Sequence, residues 1–350
     1  MPLRAKKSFS PDELPEPEND DELFEHHRFV ADPGQGMMRI DKFLVIRLEK
    51  TSRTRIQDAH DNGFVRVNGI AAKSNYKVKP LDVITIELPY PVRELELIPE
   101  NIPLDILFED HHVIVLIKPA QMVVHPAYGH YSGTLVNAVL GHIALLPKGS
   151  DDARPGLVHR LDKNTTGVMV IAKTDEALTH LSKQFFNRTT GRTYEALVWG
   201  EVEGDGTVTG HVGRNLKDRK VMDVFPDGSQ GKPATTHYKV LERFGYVTLV
   251  ECKLETGRTH QIRVHMKHIG HTLFNDDEYG GDKILKGTTF SKYRQFVENC
   301  FALCPRQALH AKSLSFEHPV TGQILYFQSE LPNDMKSVLD KWRRYTEKKF

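Results

Sequence analysis

The apolar positions of residues 37–88 follow a helical period first and a strand period later. Four of them lie three or four positions apart, as on one face of a helix: Ile40, Phe43, Leu44 and Leu48. A second helix is expected to begin at Ser52, whose hydroxyl suits an N-cap, and to end at Gly63. Asn68 and Gly69 predict a two-residue hairpin turn, and residues 83–88 predict a closing strand. The segment therefore predicts a compact ααβ unit.

Beyond a proline-punctuated connection over residues 89–103, the pattern alternates between strands and helices. Apolar and β-branched runs predict strands at residues 112–117, 168–172, 247–254 and 324–327. Helical spacing predicts a helix capped by Thr134, a helix with Leu178, Leu181 and Phe185 on one face, and a last helix with Met335, Val338, Leu339 and Trp342. Strands outnumber helices without a strict βαβ order, so residues 104–350 predict an α+β fold with a largely antiparallel sheet.

Charge is distributed unevenly along the chain, although the formal net charge is only +1. Residues 1–36 carry nine acidic and four basic side chains, and we expect most of this segment to be disordered. A less favoured alternative is an acidic mimic of RNA that occupies a basic groove. Residues 37–88 carry ten basic and six acidic side chains, a net charge of +4. A basic face toward phosphate is therefore expected on this unit.

Cysteine usage and hydropathy exclude several classes of protein. Cys252, Cys300 and Cys304 cannot all pair and lack Cys-x-x-Cys spacing, which argues against a disulfide scaffold and a zinc ribbon. The N-terminal residues contain no apolar segment of the kind found in secretory signals. No run approaches the ~18 apolar residues of a membrane span. We therefore expect a soluble, cytoplasmic protein without membrane contact.

One carboxylate lies in a polar loop that leads into an apolar run. Asp162 belongs to the loop of residues 159–167, and residues 168–172 follow as a predicted buried strand. Loops held by a rigid scaffold are common positions for catalytic acids. Taken alone, Asp162 would be interpreted more readily as the first residue of an Asx turn. Other parts of the sequence reverse that preference.

Eight sequence blocks, in order, resemble the RluA-type pseudouridine synthases over about residues 100–330. Residues 159–167 are similar to the family signature His-Arg-Leu-Asp-x-x-Thr-Ser-Gly, with Thr166 in place of serine. The other blocks are residues 118–126, 194–198, 218–222, 231–238, 257–265, 306–311 and 318–322. The resemblance implies the pseudouridine-synthase fold, a bent sheet with an RNA cleft between its halves. It also implies an isomerase that converts uridine to pseudouridine and needs no cofactor.

The same resemblance assigns catalytic roles. Asp162 would be the ionised carboxylate that adds to the nucleoside or stabilises a sugar cation. Attack on the sugar carbon, addition to the base and a glycal intermediate all stay open. Arg263 would pair with Asp162 and keep it ionised, with Arg258 as the competing candidate. We prefer Arg263 because residues 261–264 are expected to form a strand, which would position the side chain well.

Two further residues would handle the RNA in the cleft. Tyr194, the third expected catalytic residue, matches the family tyrosine that stacks on the displaced uracil. Arg160 matches a family arginine that enters the RNA and helps to flip the base. Four histidines, His260, His265, His268 and His271, could suggest a metal site. They cross a predicted strand into a helix or turn and need not converge, so no metal is expected.

Residues 37–88 resemble an S4 RNA-binding domain. Arg53 and Arg55 fall at the start of the second helix, where the helix dipole and guanidinium groups favour phosphate. Lys73 and Lys77 are further candidates for RNA contact. An S4-like unit followed by this synthase most resembles an enzyme of large-subunit ribosomal RNA, which is therefore the expected partner. The alternative is a non-catalytic RNA-binding ribosome-assembly factor on the same fold; the modified uridines and the oligomeric state stay open.

One loop departs from the family pattern. The family usually has Gly-Asp-Pro shortly before Tyr-Gly-Gly, whereas residues 275–278 are Asn-Asp-Asp-Glu. The missing glycine and proline change the backbone freedom of the loop. Its shape is therefore left open, while the positions assigned to chemistry are unaffected.

Overall fold

The computed structural model describes two compact units. It covers residues 24–48, 53–88, 97–126, 130–143, 146–147, 155–218 and 221–347, without the side chains of residues 24 and 53–55. The first unit ends at residue 96 and the second begins at residue 97. This division falls within the connection expected over residues 89–103.

The first unit combines two helices with short strands. Its elements are β1 (Phe24–Val30), β2 (Met38–Arg39), α1 (Ile40–Arg47), α2 (Arg53–Asp61), β3 (Val65–Val67), β4 (Ile70–Ala71), β5 (Lys77–Val78) and β6 (Val83–Leu88). Four strands form a sheet in the order β1-β6-β3-β4. Asn68 and Gly69 have φ values of 50° and 83°, as the predicted hairpin between β3 and β4 requires. Residues 51–52, and with them the proposed Ser52 cap, lie outside the described residues.

Strand β1 was not anticipated by the sequence pattern. Disorder was expected for most of residues 1–36, but Phe24–Val30 within that segment pair antiparallel with β6. The backbone of β1 takes its hydrogen bonds from that strand, and main-chain pairing does not depend on the acidic composition that suggested disorder. Ala31, directly after β1, is fully buried in the core of this unit. Residues 1–23 lie outside the described residues.

The second unit contains a large sheet with helices packed against it. Its strands are β7 (Asp105–Glu109), β8 (Val113–Lys118), β9 (Thr166–Ala172), β10 (Gly191–Trp199), β11 (Gly206–Arg214), β12 (Met222–Phe225), β13 (Lys232–Arg243), β14 (Val247–Leu254), β15 (Leu309–Glu317) and β16 (Ile324–Gln328). Its helices are α3 (Leu135–His142), α4 (Asp175–Asn187), α5 (Gln261–His268), α6 (Ser291–Leu303) and α7 (Asn333–Glu347).

The ten strands form one mostly antiparallel sheet. Their order is β12-β11-β13-β14-β10-β15-β9-β8-β7, and β16 pairs with β15. Only the short pairing of β15 with β9 is parallel among the described strands, with His310 opposite Thr166. The predicted α+β class with a largely antiparallel sheet is thus confirmed. Strand β9 is buried at every position, as its continuous apolar sequence indicates.

The expected strand over residues 261–264 is wrong, because these residues begin helix α5. Ile262, Val264 and Met266 alternate with other residues and so imitate a strand. Residues 261–266 are all buried, however, and a helix enclosed on every side shows no clear helical period. Among the described helices, none has the length and hydropathy that crossing a bilayer would require.

Candidate active site

A cleft of about 440 Å³ opens on the second unit where several chain segments meet. The loop before β9, the end of α4, the start of β10 and residues 254–263 line it. Asp162, Tyr194, Arg160, Arg258 and Arg263 all lie in this lining. The structure therefore brings together the five side chains of the second unit that the sequence assigns, as first choice or alternative, to catalysis or RNA contact in the cleft.

The loop that carries Asp162 is fixed from outside by long-range hydrogen bonds. Lys118 Nζ donates to the carbonyl of Lys163 over 3.0 Å and also to the carbonyls of Pro119 and Met122. Arg306 Nη1 donates to the carbonyl of Asn164 over 3.0 Å. Lys118 is fully buried and Arg306 is 5% exposed, so solvent does not compete for these bonds. Two buried basic side chains thus fix the backbone of the two residues that follow Asp162.

The Asp162 carboxylate faces the guanidinium of Arg263. Arg263 Nη1 and Asp162 Oδ2 are 3.4 Å apart, and 20% of the Asp162 side chain is exposed to the cleft. Arg258 instead donates from Nε to the carbonyl of Pro233 over 3.2 Å. Of the two candidate partners, Arg263 is therefore the one that contacts Asp162, although it extends from a helix and not from the predicted strand.

Arg263 binds two more carboxylates. Its Nε and Nη2 form a bidentate pair with Asp276, with both distances 2.7 Å, and Asp276 is fully buried. Nη2 also lies 2.7 Å from Glu278 Oε2, and the guanidinium lies 4.9 Å from the centre of the Tyr279 ring. Burial alone would lower the pKa of Arg263, but the hydrogen bonds and charge of Asp276 raise it above its ordinary value. A permanently charged, fixed guanidinium thus faces Asp162.

Sequence reasoning missed the partners that come from residues 276–279. Asn275 has a φ of 57°, a left-handed conformation that asparagine tolerates better than most residues other than glycine. Its side chain donates to the carbonyl of Cys304 over 2.7 Å, which anchors the turn. With Asn275 in this conformation, the chain forms a turn that delivers Asp276 and Glu278 to Arg263. The acidic run Asp276–Asp277–Glu278 was the available signal.

His260 also belongs to the site. Its Nε2 lies 3.9 Å from Asp162 Oδ1, and its Nδ1 lies 2.9 Å from the Tyr279 hydroxyl. That hydroxyl accepts a hydrogen bond from the backbone of Met222 and is free to donate to His260. Burial lowers the pKa of His260, so the ring faces Asp162 mostly as neutral imidazole at pH 7.

The remaining predicted catalytic and RNA-binding residues lie in different environments. Tyr194 on β10 is 8% exposed and lines the cleft, and burial raises the pKa of its hydroxyl. Arg160 is exposed at the cleft. Lys73 and Lys77 are exposed on the first unit, and the side chains of Arg53 and Arg55 lie outside the described residues.

The four histidines of residues 260–271 do not converge. His265 is fully buried on α5, and His271 Nδ1 bonds to the carbonyl of Trp199. Within the part of the chain that the structure describes, no three His, Cys, Asp or Glu side chains are arranged to hold a metal ion.

The chain is similar to known RNA pseudouridine synthases. The family model for RNA pseudouridylate synthase matches residues 112–268. An uncharacterized RNA pseudouridine synthase of Chlorobaculum parvum is 46% identical over 88% of this chain and 95% of its own length. A relative from Nitrosomonas europaea, named ribosomal large subunit pseudouridine synthase D, is 44% identical over 87% of this chain and 85% of its own length.

A solved structure supports the same fold. The human protein titled RNA pseudouridylate synthase domain containing 4 matches 68% of this chain and 93% of its own, with a TM-score of 0.50 and 24% identity. The fold, the cleft and these relatives together define an isomerase. The chain belongs to the RNA pseudouridine synthase family, and within it to the RluA type. Relatives named ribosomal large subunit pseudouridine synthase D are 40–44% identical to it.

Proposed function

We propose that this enzyme converts uridines of large-subunit ribosomal RNA to pseudouridine, with Asp162 as the reacting carboxylate. The printed names of several relatives support the RNA substrate. One observation carries the proposal for the chemistry: Asp162 faces the cleft while the buried guanidinium of Arg263 lies 3.4 Å from it. We place the reaction in the cytoplasm, as the sequence suggests.

The reaction breaks the N1–C1′ bond of uridine and joins C5 to C1′, without net oxidation or hydrolysis. Asp162 can add covalently or stabilise positive charge on the sugar because the fixed, charged guanidinium of Arg263 faces its carboxylate and orients it. Burying the charged Arg263 guanidinium beside Asp162 costs little folding stability, because Asp276 already neutralises its charge in the protein interior. The bond to Asp162 is the longest of its three carboxylate contacts, which leaves Asp162 able to shift toward substrate.

The target base must leave the RNA stack before chemistry can begin. Tyr194 offers an aromatic face within the cleft, and Arg160 is exposed at the position where RNA would enter. We propose that Tyr194 stacks on the uracil and that Arg160 takes part in flipping. For the first unit we propose an S4-like RNA-binding role for Arg53, Arg55, Lys73 and Lys77.

Mapping of pseudouridine on unmodified large-subunit ribosomal RNA tests the proposal. The wild-type protein should form pseudouridine at discrete positions, and Asp162→Asn should form none while binding the RNA with nearly unchanged affinity. Asp277→Asn, at an exposed carboxylate outside the cleft lining, is the matched control and should stay active. Equal product from the wild type and Asp162→Asn would reject the catalytic role. RNA binding by a wild type that never forms product would favour a binding-only protein.

The RNA-binding role of the first unit has its own test. Replacing Arg53, Arg55, Lys73 and Lys77 with alanine should weaken RNA binding and flatten its salt dependence. Because the catalytic cleft belongs to the second unit, single-turnover rates at saturating RNA should change little. Unchanged affinity would remove the first unit from the RNA-binding role.

A further inference from the structure

Arg192 lines the catalytic cleft as a second buried arginine. It lies on β10, two residues before Tyr194, and is only 8% exposed. Within the described part of the chain, its Nε has no hydrogen-bond partner and no carboxylate forms an ion pair with it. Arg263, in the same cleft, contacts three carboxylates. Arg263 therefore has counter-charges within the protein, whereas Arg192 has none among the described residues.

The described neighbours that contact Arg192 carry no negative charge, and Glu255, which also lines the cleft, bonds to His237 over 2.7 Å. Its guanidinium lies 5.5 Å from the centre of the Phe185 ring and against Gly257, where an added Cβ would lie 2.8 Å from Nη1. The His159 ring stacks on Phe185, with ring centres 4.6 Å apart. His159 Nε2 accepts a hydrogen bond from the backbone of Val170, and burial and then the charge of Arg192 lower its pKa to about 3. His159 is thus a neutral neighbour.

More positive charge borders the same cleft. Arg188 ends helix α4, and Arg258 follows Gly257; both line the cleft. Burial and then the positive charge of Arg188 lower the pKa of Arg258, so these two side chains lie close enough to repel each other. An arrangement of like charges around a buried guanidinium destabilises the free protein. It becomes favourable when an anion enters.

We propose that Arg192 binds a phosphodiester group of the RNA strand whose uridine enters the cleft, with Arg188 and Arg258 at the rim of the same anion site. Only the identity of the ligand as RNA rests on the proposed function. A uracil carbonyl could accept a hydrogen bond from Arg192 but would leave its charge uncompensated. A phosphodiester supplies both the acceptors and the charge, in a geometry that suits the planar guanidinium.

The test measures RNA binding as a function of salt concentration. Fluorescently labelled, unmodified large-subunit ribosomal RNA fragments are titrated with full-length protein at several NaCl concentrations. All proteins carry Asp162→Asn, so that no product forms during the measurement. Arg192→Met removes the charge and keeps most of the side-chain volume. Arg294→Met, at an exposed arginine on α6 outside the cleft lining, is the matched charge control.

The expected result has two parts. Arg192→Met should weaken binding by about ten- to a hundredfold at low salt. It should also reduce the slope of log affinity against log salt by about 0.7, the value for one phosphate contact on a single strand. Arg294→Met should change neither quantity. Weakened binding with an unchanged slope would overturn the phosphate assignment and point to a base carbonyl.

Thermal unfolding of the RNA-free proteins separates ligand binding from a structural role. Because Arg192 is a buried charge without a partner, Arg192→Met should unfold at the same temperature or higher. A clear fall in the unfolding temperature would overturn the proposal by making Arg192 a structural residue. A reduced salt slope in Arg192→Met, together with no pseudouridine formation by the Asp162-containing wild type, would support the anion site while rejecting the proposed reaction. Pseudouridine formation by the Asp162-containing wild type, together with an unchanged slope in Arg192→Met, would reject only the anion site.

Discussion

Arg306 Nη1 donates a hydrogen bond to the carbonyl of Asn164 over 3.0 Å, across 142 residues of sequence. The same guanidinium pairs with Asp334 at the start of α7 through Nε and Nη2, at 2.7 and 3.0 Å. Asn164 is two residues after Asp162. The C-terminal part of the chain therefore holds the loop that carries Asp162, the proposed reacting carboxylate.

Arg306→Met is expected to lower kcat by about a hundredfold while RNA affinity stays within a few fold of wild type. The substitution removes the donor to three backbone carbonyls, those of Asn164, Gln307 and Leu309. A displacement of about 1 Å at a reacting group can cost that factor. Single-turnover rates and RNA binding, measured separately, check the prediction.

Arg343→Met is the matched control, because Arg343 also extends from the C-terminal region and pairs with Glu242 but does not line the cleft. It should leave kcat unchanged. If Arg306→Met reduced RNA affinity and kcat equally, a role in positioning Asp162 would be wrong.

Asp276→Asn is expected to destabilise the protein by roughly 3–5 kcal/mol, because it leaves the buried Arg263 without its bidentate partner. Glu278→Gln should cost less than about 1 kcal/mol, since Glu278 is 46% exposed and its ion pair is screened by solvent. Both variants change a carboxylate that contacts the same Arg263 Nη2. Urea unfolding of the two variants gives the comparison.

A double variant extends that test. Arg263→Met with Asp276→Leu removes both charges and should recover part of the stability lost in Asp276→Asn, while pseudouridine formation stays absent. If the double variant were less stable than Asp276→Asn, the pair would contribute net stability instead of mainly orienting Arg263.

For the two buried arginines, Arg263 and Arg192, the sequence predicted only part of the site. The resemblance to a family identified Arg263 as the partner of Asp162, although the predicted strand around it is a helix. It did not identify Asp276, because only the left-handed turn at Asn275 brings that carboxylate to the site. Arg192 could not be singled out at all, since the absence of a counter-charge is a property of the folded neighbourhood. Apolar periodicity was sufficient to predict an element and its buried residues where the element has one buried face, as in α7.

Acidification should destabilise the protein through buried histidines. Burial lowers the pKa of His265 and of His310 to about 4. Between pH 6.5 and about 4 the unfolded chain binds more protons at these rings than the folded protein does. Stability therefore falls as pH falls through that window, by roughly 1.4 kcal/mol for each unit of pKa difference per histidine.

His265→Leu isolates one of these contributions. Both ring nitrogens of His265 lack hydrogen-bond partners within the described residues, so an apolar side chain leaves no acceptor or donor unpaired. The variant should lose less stability than wild type between pH 6.5 and 4 in urea unfolding. His111→Leu, at an exposed position, should behave like wild type. A wild-type pH profile in His265→Leu would show that His265 does not contribute to acid sensitivity.

Substitutions of Tyr194 test whether its ring stacks on the flipped uracil. Its ring lies on β10 between β14 and β15, opposite Cys252 and Ala311, so the sheet fixes its position before RNA arrives. If the ring stacks on the flipped uracil, Tyr194→Phe should keep most of kcat/KM. Tyr194→Leu should lose about ten- to a hundredfold, as expected for roughly 1–3 kcal/mol of stacking per base.

Loss of core packing alone would also impair Tyr194→Leu, and Tyr293→Leu controls for it. Tyr293 is 3% exposed in a separate apolar cluster and does not line the cleft. Its replacement should lower thermal stability at least as much as Tyr194→Leu does, yet leave kcat/KM unchanged well below the unfolding temperature. If Tyr194→Phe were as impaired as Tyr194→Leu, the hydroxyl would be the required group. Because burial raises its pKa, that hydroxyl would act as a hydrogen-bond donor and not as a phenolate.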